Sequence, residues 1–171
     1  MRRVLALIAF AAIALALPPL PRPAPAFTIA EPGGRKTPLS AYKGKVVLLG
    51  FFSTTCPHCQ QTSKTFSGLQ QAFAAEGLQA LAVTFNPEAA SESVVKEFRS
   101  RYAQNFPVGM SVPATVVDFL GFSVMERYVY PQIVLIDRKG MIRAQSDPKG
   151  TPELQDLTGL RPKIEALLKE R

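Results

Sequence analysis

Lys45-Val46-Val47-Leu48-Leu49-Gly50-Phe51-Phe52-Ser53-Thr54-Thr55-Cys56-Pro57-His58-Cys59 is the stretch that decides the fold. Residues 45–52 form a short continuous apolar run, the pattern of a strand covered on both faces. Three polar residues end the run, and Pro57 fits the first turn of a helix, where a missing N–H costs nothing. From Pro57 to Ala75 the apolar residues Phe66, Leu69, Ala72 and Phe73 fall on one helical face. The two cysteines therefore open a helix that directly follows a core strand. A helix N-terminus carries unpaired N–H groups and about half a positive charge, which favours a thiolate, the reactive form of cysteine. His58 adds a donor or a positive charge beside Cys56. Cys59, three residues on, lies within reach to resolve a mixed disulfide.

Two more buried runs flank this unit. Gly77–Phe85 reads as a second strand and Pro131–Asp137 as a third, with Lys139-Gly140 turning the chain into a hairpin with Met141–Ala144. Glu92–Tyr102 reads as a helix through Val94, Val95, Phe98 and Tyr102, and a last helix begins at Arg161-Pro162 with Ile164, Leu167 and Leu168 as its buried stripe. Phe106–Met125, with Pro107, Gly109, Pro113 and Gly121, reads as irregular with one short helix. Strand–helix–strand order favours parallel pairing with right-handed crossovers, and the hairpin adds antiparallel strands. The expected class is α/β, a central mixed sheet with helices on both faces.

The first 26 residues read as an address. Arg2 and Arg3 precede an unbroken apolar run, Val4–Leu17, which matches the charged and hydrophobic regions of a secretory signal. Ala24-Pro25-Ala26 supplies small residues at the two positions a signal peptidase reads, so cleavage is expected after Ala26, leaving a domain over 27–171. The alternative is a retained membrane anchor at residues 4–17, with the prolines at 18, 19, 21, 23 and 25 as a stiff spacer. Either way the domain is expected outside the cytoplasm, in the periplasm of a bacterium.

The whole-chain totals narrow the chemistry. The net charge is +7, from 20 basic and 13 acidic residues, and Arg2, Arg3 and Arg22 lie in the address; the remaining 17 basic residues leave +4. No basic run or aromatic-interleaved stripe points to nucleic acid. The chain has 2 Cys and 1 His, too few side chains for a structural zinc site of four such ligands. Gln60, not His, follows Cys59, which departs from haem attachment. Two cysteines so close would close too small a loop to stabilise the fold much, which favours chemistry over stapling. No metal and no cofactor is expected.

The run Thr37–Leu49 leading into Phe51–Cys59, together with Tyr130-Pro131-Gln132-Ile133-Val134-Leu135-Ile136-Asp137 and Lys139-Gly140, resembles the TlpA/ResA-like branch of the thioredoxin superfamily, of the AhpC/TSA-redoxin type, over residues of about 27–145. The long segment before Pro131 resembles the insertion of that branch. The resemblance implies a thioredoxin fold and a thiol-disulfide oxidoreductase with a redox-active Cys56–Cys59 disulfide. It makes Cys56 the attacking and Cys59 the resolving thiol, with Pro57 and His58 tuning them. It also makes Pro131 a cis-proline that, with Tyr130, faces the substrate. Protein thiols and disulfides are the implied partners, apocytochromes and a membrane electron donor or acceptor among them.

Departures from the branch are specific. Phe52 and Thr55 stand where tryptophan is frequent. Gly50 stands where thioredoxin has a buried acid that manages the proton of the second thiol, and Glu88 is the candidate to replace it. A copper-delivery protein of the SCO type would have C-x-x-x-C and a distant His. A peroxiredoxin would have Thr and Pro where Ser53 and Leu49 stand. Pro57-His58 is the pair of strongly oxidising members, and Gly50 removes a charge that would oppose a Cys56 thiolate. A midpoint potential more oxidising than thioredoxin's, about −270 mV, is therefore expected.

Overall fold

The computed structural model describes residues 17–86, 91–123 and 125–170. Its centre is the strand read first. β4 (Val46–Phe52) is buried at all seven positions and alternates strictly. Val46, Leu48 and Phe52 enter one core cluster, and Val47, Leu49 and Phe51 enter another on the opposite face, as the two-residue period of a strand requires. β5 (Leu78–Thr84) pairs parallel to β4 across seven residues, and β7 (Gln132–Ile136) pairs antiparallel on its other side.

Five further strands complete the sheet: β1 (Arg22–Pro23), β2 (Thr28–Ala30), β3 (Lys36–Pro38), β6 (Val108–Met110) and β8 (Met141–Gln145). The order across the sheet is β1-β8-β7-β4-β5-β6-β2-β3. The first core cluster is covered by α1 (Pro57–Phe73), α2 (Glu92–Tyr102) and α4 (Leu157–Lys169). The second lies beneath α3 (Pro113–Leu120) and the N-terminal residues Phe27, Ile29 and Leu39. The mixed sheet with helices on both faces is the expected thioredoxin architecture.

Three boundaries differ from the expectation. α4 starts at Leu157, four residues before Arg161, because Asp156 caps it by accepting from the Gly159 N–H at 2.9 Å, and Pro162 lies inside the helix. The stretch 106–125 is more regular than expected. It carries β6 and then α3, which ends at Gly121 in the left-handed conformation, φ 69°. That conformation favours glycine. Residues 22–38, which showed no strand pattern, supply three short strands at the two edges of the sheet. Residues 1–16 of the address lie outside the described residues, whereas 17–26 run along the domain.

Candidate functional site

β4 delivers the chain to the site, and the turn after it is held from several sides. The Thr54 N–H donates to Asn86 Oδ1 at 3.0 Å, and Asn86 Nδ2 donates back to Thr54 Oγ1 at 3.1 Å. Asn86 is buried two residues beyond the end of β5. Parallel pairing of Phe52 with Thr84 sets the two loop ends side by side, so the reciprocal clamp follows from register. Gln60 Nε2 donates to the Thr54 carbonyl at 3.1 Å from the first turn of α1. A buried backbone turn needs such partners, because each unpaired polar group costs about 1–3 kcal/mol.

Cys56 is the N-cap residue of α1, with extended backbone (φ −82°, ψ 118°), and Pro57 follows in the first turn. The Cys56 Sγ accepts from the Cys59 N–H at 3.4 Å, in the manner of a capping side chain. Cys56 is half-buried, whereas Cys59 is fully buried. Both sulfurs are thiols here. The Cys59 Sγ accepts from the Ser53 N–H at 3.4 Å. Burial pushes the Cys59 thiol far above the ordinary thiol range; the Ser53 N–H opposes that shift, and the neighbouring Cys56 adds to it. A methyl group at Gly50 would collide with the Phe52 ring, so that ring fills the space next to position 50. Phe52 and Cys59 belong to the same buried cluster.

The expected site residues fall as follows. Pro57 and His58 are exposed on the first turn. The hydrogen bond on the Cys56 sulfur comes from the Cys59 N–H and not from His58. Tyr130 and Cys56 are both half-buried against the first cluster. Tyr130 also packs on Phe85, with ring centroids 4.9 Å apart. Pro131 is buried, and the Tyr130–Pro131 peptide is cis. It stands one step beyond the Phe51–Gln132 pair of β4 and β7, which brings it to the end of β4 that leads to Cys56. Glu88 lies outside the described residues. Asn86, the Ser53 N–H and Phe52 were not recognised from the sequence as parts of the site; a polar residue ending a buried strand is the signal that marks Asn86.

Among the described residues no three His, Cys, Asp or Glu side chains come together, and no helix is long and apolar enough to cross a membrane. A cavity of about 620 Å³ lies at the far end of β4, where Val47, Ile136 and Phe27 line it.

The chain's similarities agree with this geometry. A family model described as the AhpC/TSA family matches residues 20–145. The thioredoxin-like protein YneN of Bacillus subtilis is 33% identical over 120 residues, covering 70% of this chain and 66% of that protein. The thiol-disulfide oxidoreductase ResA of the same organism is 29% identical over 119 residues, covering 70% of this chain and 62% of that protein. The chain thus spans just under two thirds of the length of these relatives. The crystal structure of a thiol:disulfide interchange protein of the thioredoxin family from Chlorobium tepidum superposes with a TM-score of 0.69 at 22% identity, over 88% of this chain and 99% of that one. At that identity it speaks for the fold.

Proposed function

The chain belongs to the AhpC/TSA family, with a TlpA/ResA-like thioredoxin fold, and from that membership we propose an exported thiol-disulfide oxidoreductase. It exchanges disulfides with protein partners through Cys56 and Cys59. Apocytochrome cysteines and a membrane electron donor or acceptor belong to the same proposal, as does a periplasmic location with residues 4–17 either removed or retained as an anchor. The observation that carries the reading is the asymmetry of the two sulfurs: one half-exposed at a helix cap, the other buried behind it with a backbone N–H aimed at it.

In the reducing direction, the Cys56 thiolate attacks one sulfur of a client disulfide. The client S–S bond breaks, a Cys56–client disulfide forms, and the second client sulfur leaves as a thiolate. Cys59 then gives up its proton and attacks the Cys56 sulfur. The Ser53 N–H stabilises the Cys59 thiolate during that step. The first client sulfur leaves as a thiolate, the Cys56–Cys59 disulfide forms, and two electrons have passed to the client. The one proton released is that of Cys59, and the second proton that completes the client dithiol comes from solvent, which took it up when Cys56 ionised. Oxidation of client thiols is the same sequence reversed. Tyr130 and Pro131 border the place where the client strand enters, and Pro57 and His58 tune the pair. With a phenyl ring beside Gly50, the Cys59 proton leaves to the departing client thiolate or to water.

Trapping tests this. Cys59→Ala in the exporting cell should accumulate mixed disulfides, seen as adducts on non-reducing gels, because nothing resolves them. Cys56→Ala should give none. Adducts with Cys56→Ala, or their absence with Cys59→Ala, would overturn the role assignment.

A further inference from the structure

We propose that residues 17–26 remain on the mature protein as the edge strand of its sheet, so that any processing of the leader occurs at or before the Ala16–Leu17 bond. Four observations carry this. First, β1 is a true strand: Arg22 and Pro23 pair antiparallel with Ile142 and Met141 of β8, and the Ala24 N–H donates to the Gly140 carbonyl at 2.9 Å. Second, the Arg22 guanidinium is tied to the end of α3 and to β8. Its Nη2 donates to the Phe119 carbonyl at 3.0 Å, to Leu120 at 3.4 Å and to Gln145 Oε1 at 2.8 Å. Gln145 Nε2 in turn donates to the Leu120 carbonyl at 2.7 Å. Third, Leu17 and Ala24 pack against the second core cluster, and a methyl group on Gly121 would collide with the Pro18 ring. Fourth, Pro23 to Ala26 form one wall of the 620 Å³ cavity.

A cut after Ala26 would undo all four. It would leave the last carbonyls of α3 without the guanidinium that joins them to β8. It would expose the outer edge of β8, an unpaired row of N–H and C=O groups of the kind folded proteins avoid. It would also open the cavity beside Phe27. Burial strips water from the Arg22 guanidinium and lowers its pKa, while Nη2 finds its acceptors on α3 and β8 and Nε is buried without a partner. An arginine built into the fold this way is not the behaviour of a discarded leader.

The sequence offers an alternative place to cut. Ala14-Leu15-Ala16 repeats the small–x–small pattern ten residues upstream of Ala24-Pro25-Ala26. Cleavage there still leaves Val4–Ile13, ten apolar residues, as the hydrophobic region, within the roughly 7–15 a signal requires. If instead residues 4–17 stay as an anchor, the proline-rich stretch is not a free spacer: the chain is bound to the domain from Leu17 onward. The proposal holds for either direction of electron flow.

The test uses the full chain produced in an exporting bacterium. Intact mass and N-terminal sequencing of the recovered protein should give a first residue at Leu17 or earlier. A first residue anywhere from Pro18 onward, Phe27 in particular, overturns the proposal. Independently, Arg22→Ala in the same full chain should lower the thermal midpoint by about 5 °C, the shift that loss of one charged hydrogen-bond cluster produces in a domain of this size. Arg22→Lys should recover part of it. An unchanged midpoint in Arg22→Ala would contradict a structural role for the segment.

Discussion

Cys56 and Cys59 sit three residues apart in different surroundings. Cys56 caps a helix, half-exposed, with the Cys59 N–H on its sulfur. Cys59 is fully buried among Phe52, Phe66 and Leu69, and its sulfur receives the Ser53 N–H. The difference teaches that one tetrapeptide can hold two thiols with separate tasks, because the helix places one at its end and turns the other into the core. In the proposed reaction the outer thiol makes the attack, and the inner one reaches the sulfur of its neighbour after losing a proton that burial holds tightly.

The largest expected effect comes from removing the outer thiol. Cys56→Ser should reduce exchange with a protein disulfide to the uncatalysed background, measured by insulin reduction. Cys59→Ser should keep the first attack and lose turnover. Equal losses in both, with no trapped adduct, would erase the distinction between the thiols.

The inner proton gives a pH signature. Each proton taken up with the two electrons contributes about 30 mV per pH unit to the midpoint potential. An ordinary thiol stops contributing once pH passes its pKa, near 8.5. The Cys59 pKa is raised, so the potential should keep falling by at least about 30 mV per unit between pH 9 and 10.5. A plateau there would contradict it. The same shift acts on stability with a definite sign. The folded reduced protein holds this proton when the unfolded chain has lost it. Its contribution is therefore complete below the unfolded pKa and declines as pH rises above it, by up to about 1.4 kcal/mol per unit. Denaturant midpoints of the reduced form should show the decline above pH 9, and the disulfide form, which lacks the thiol, should not.

A smaller effect belongs to the clamp that aims the Ser53 N–H. Asn86→Ala removes both hydrogen bonds to Thr54 and should cost about 1–3 kcal/mol of stability. It should also slow the resolving step more than the attacking one in stopped-flow traces. Asn86→Asp keeps an acceptor for the Thr54 N–H and should recover part of both. Equal slowing of the two steps would make Asn86 a purely structural residue. At Gly50, Ala should destabilise by about 1–3 kcal/mol through overpacking against the Phe52 ring, and Phe52→Leu in the same chain should relieve it. The smallest shift is expected at His58, which is exposed. His58→Ala should move the midpoint toward more reducing values, by no more than about 30 mV.

The same contrast explains what could be read in advance. β4 and the start of α1 were legible because a buried strand has no polar interruption and Pro57 marks a first helical turn. α2 was legible through its apolar spacing. The N-terminal strands were not. β1, β2 and β3 are two or three residues long, too short to display a period, and β1 lies among prolines that read as spacer. α4 was misplaced because Pro162 resembles a start, whereas the Asp156 cap sets it. Within the site, the cysteines announce themselves by residue type and position. Ser53 acts through its backbone, and Asn86 reaches Thr54 only because the β4–β5 register sets them side by side, so neither carries a local signature.

Competitive alkylation of the native reduced protein at neutral pH, with each cysteine followed by peptide mass spectrometry, tests the central claim most directly. Cys56 should be modified to completion while Cys59 stays a free thiol until the chain is unfolded. Modification of Cys59 at the rate of Cys56, or faster, would contradict the division between an outer attacking thiol and a buried resolving one.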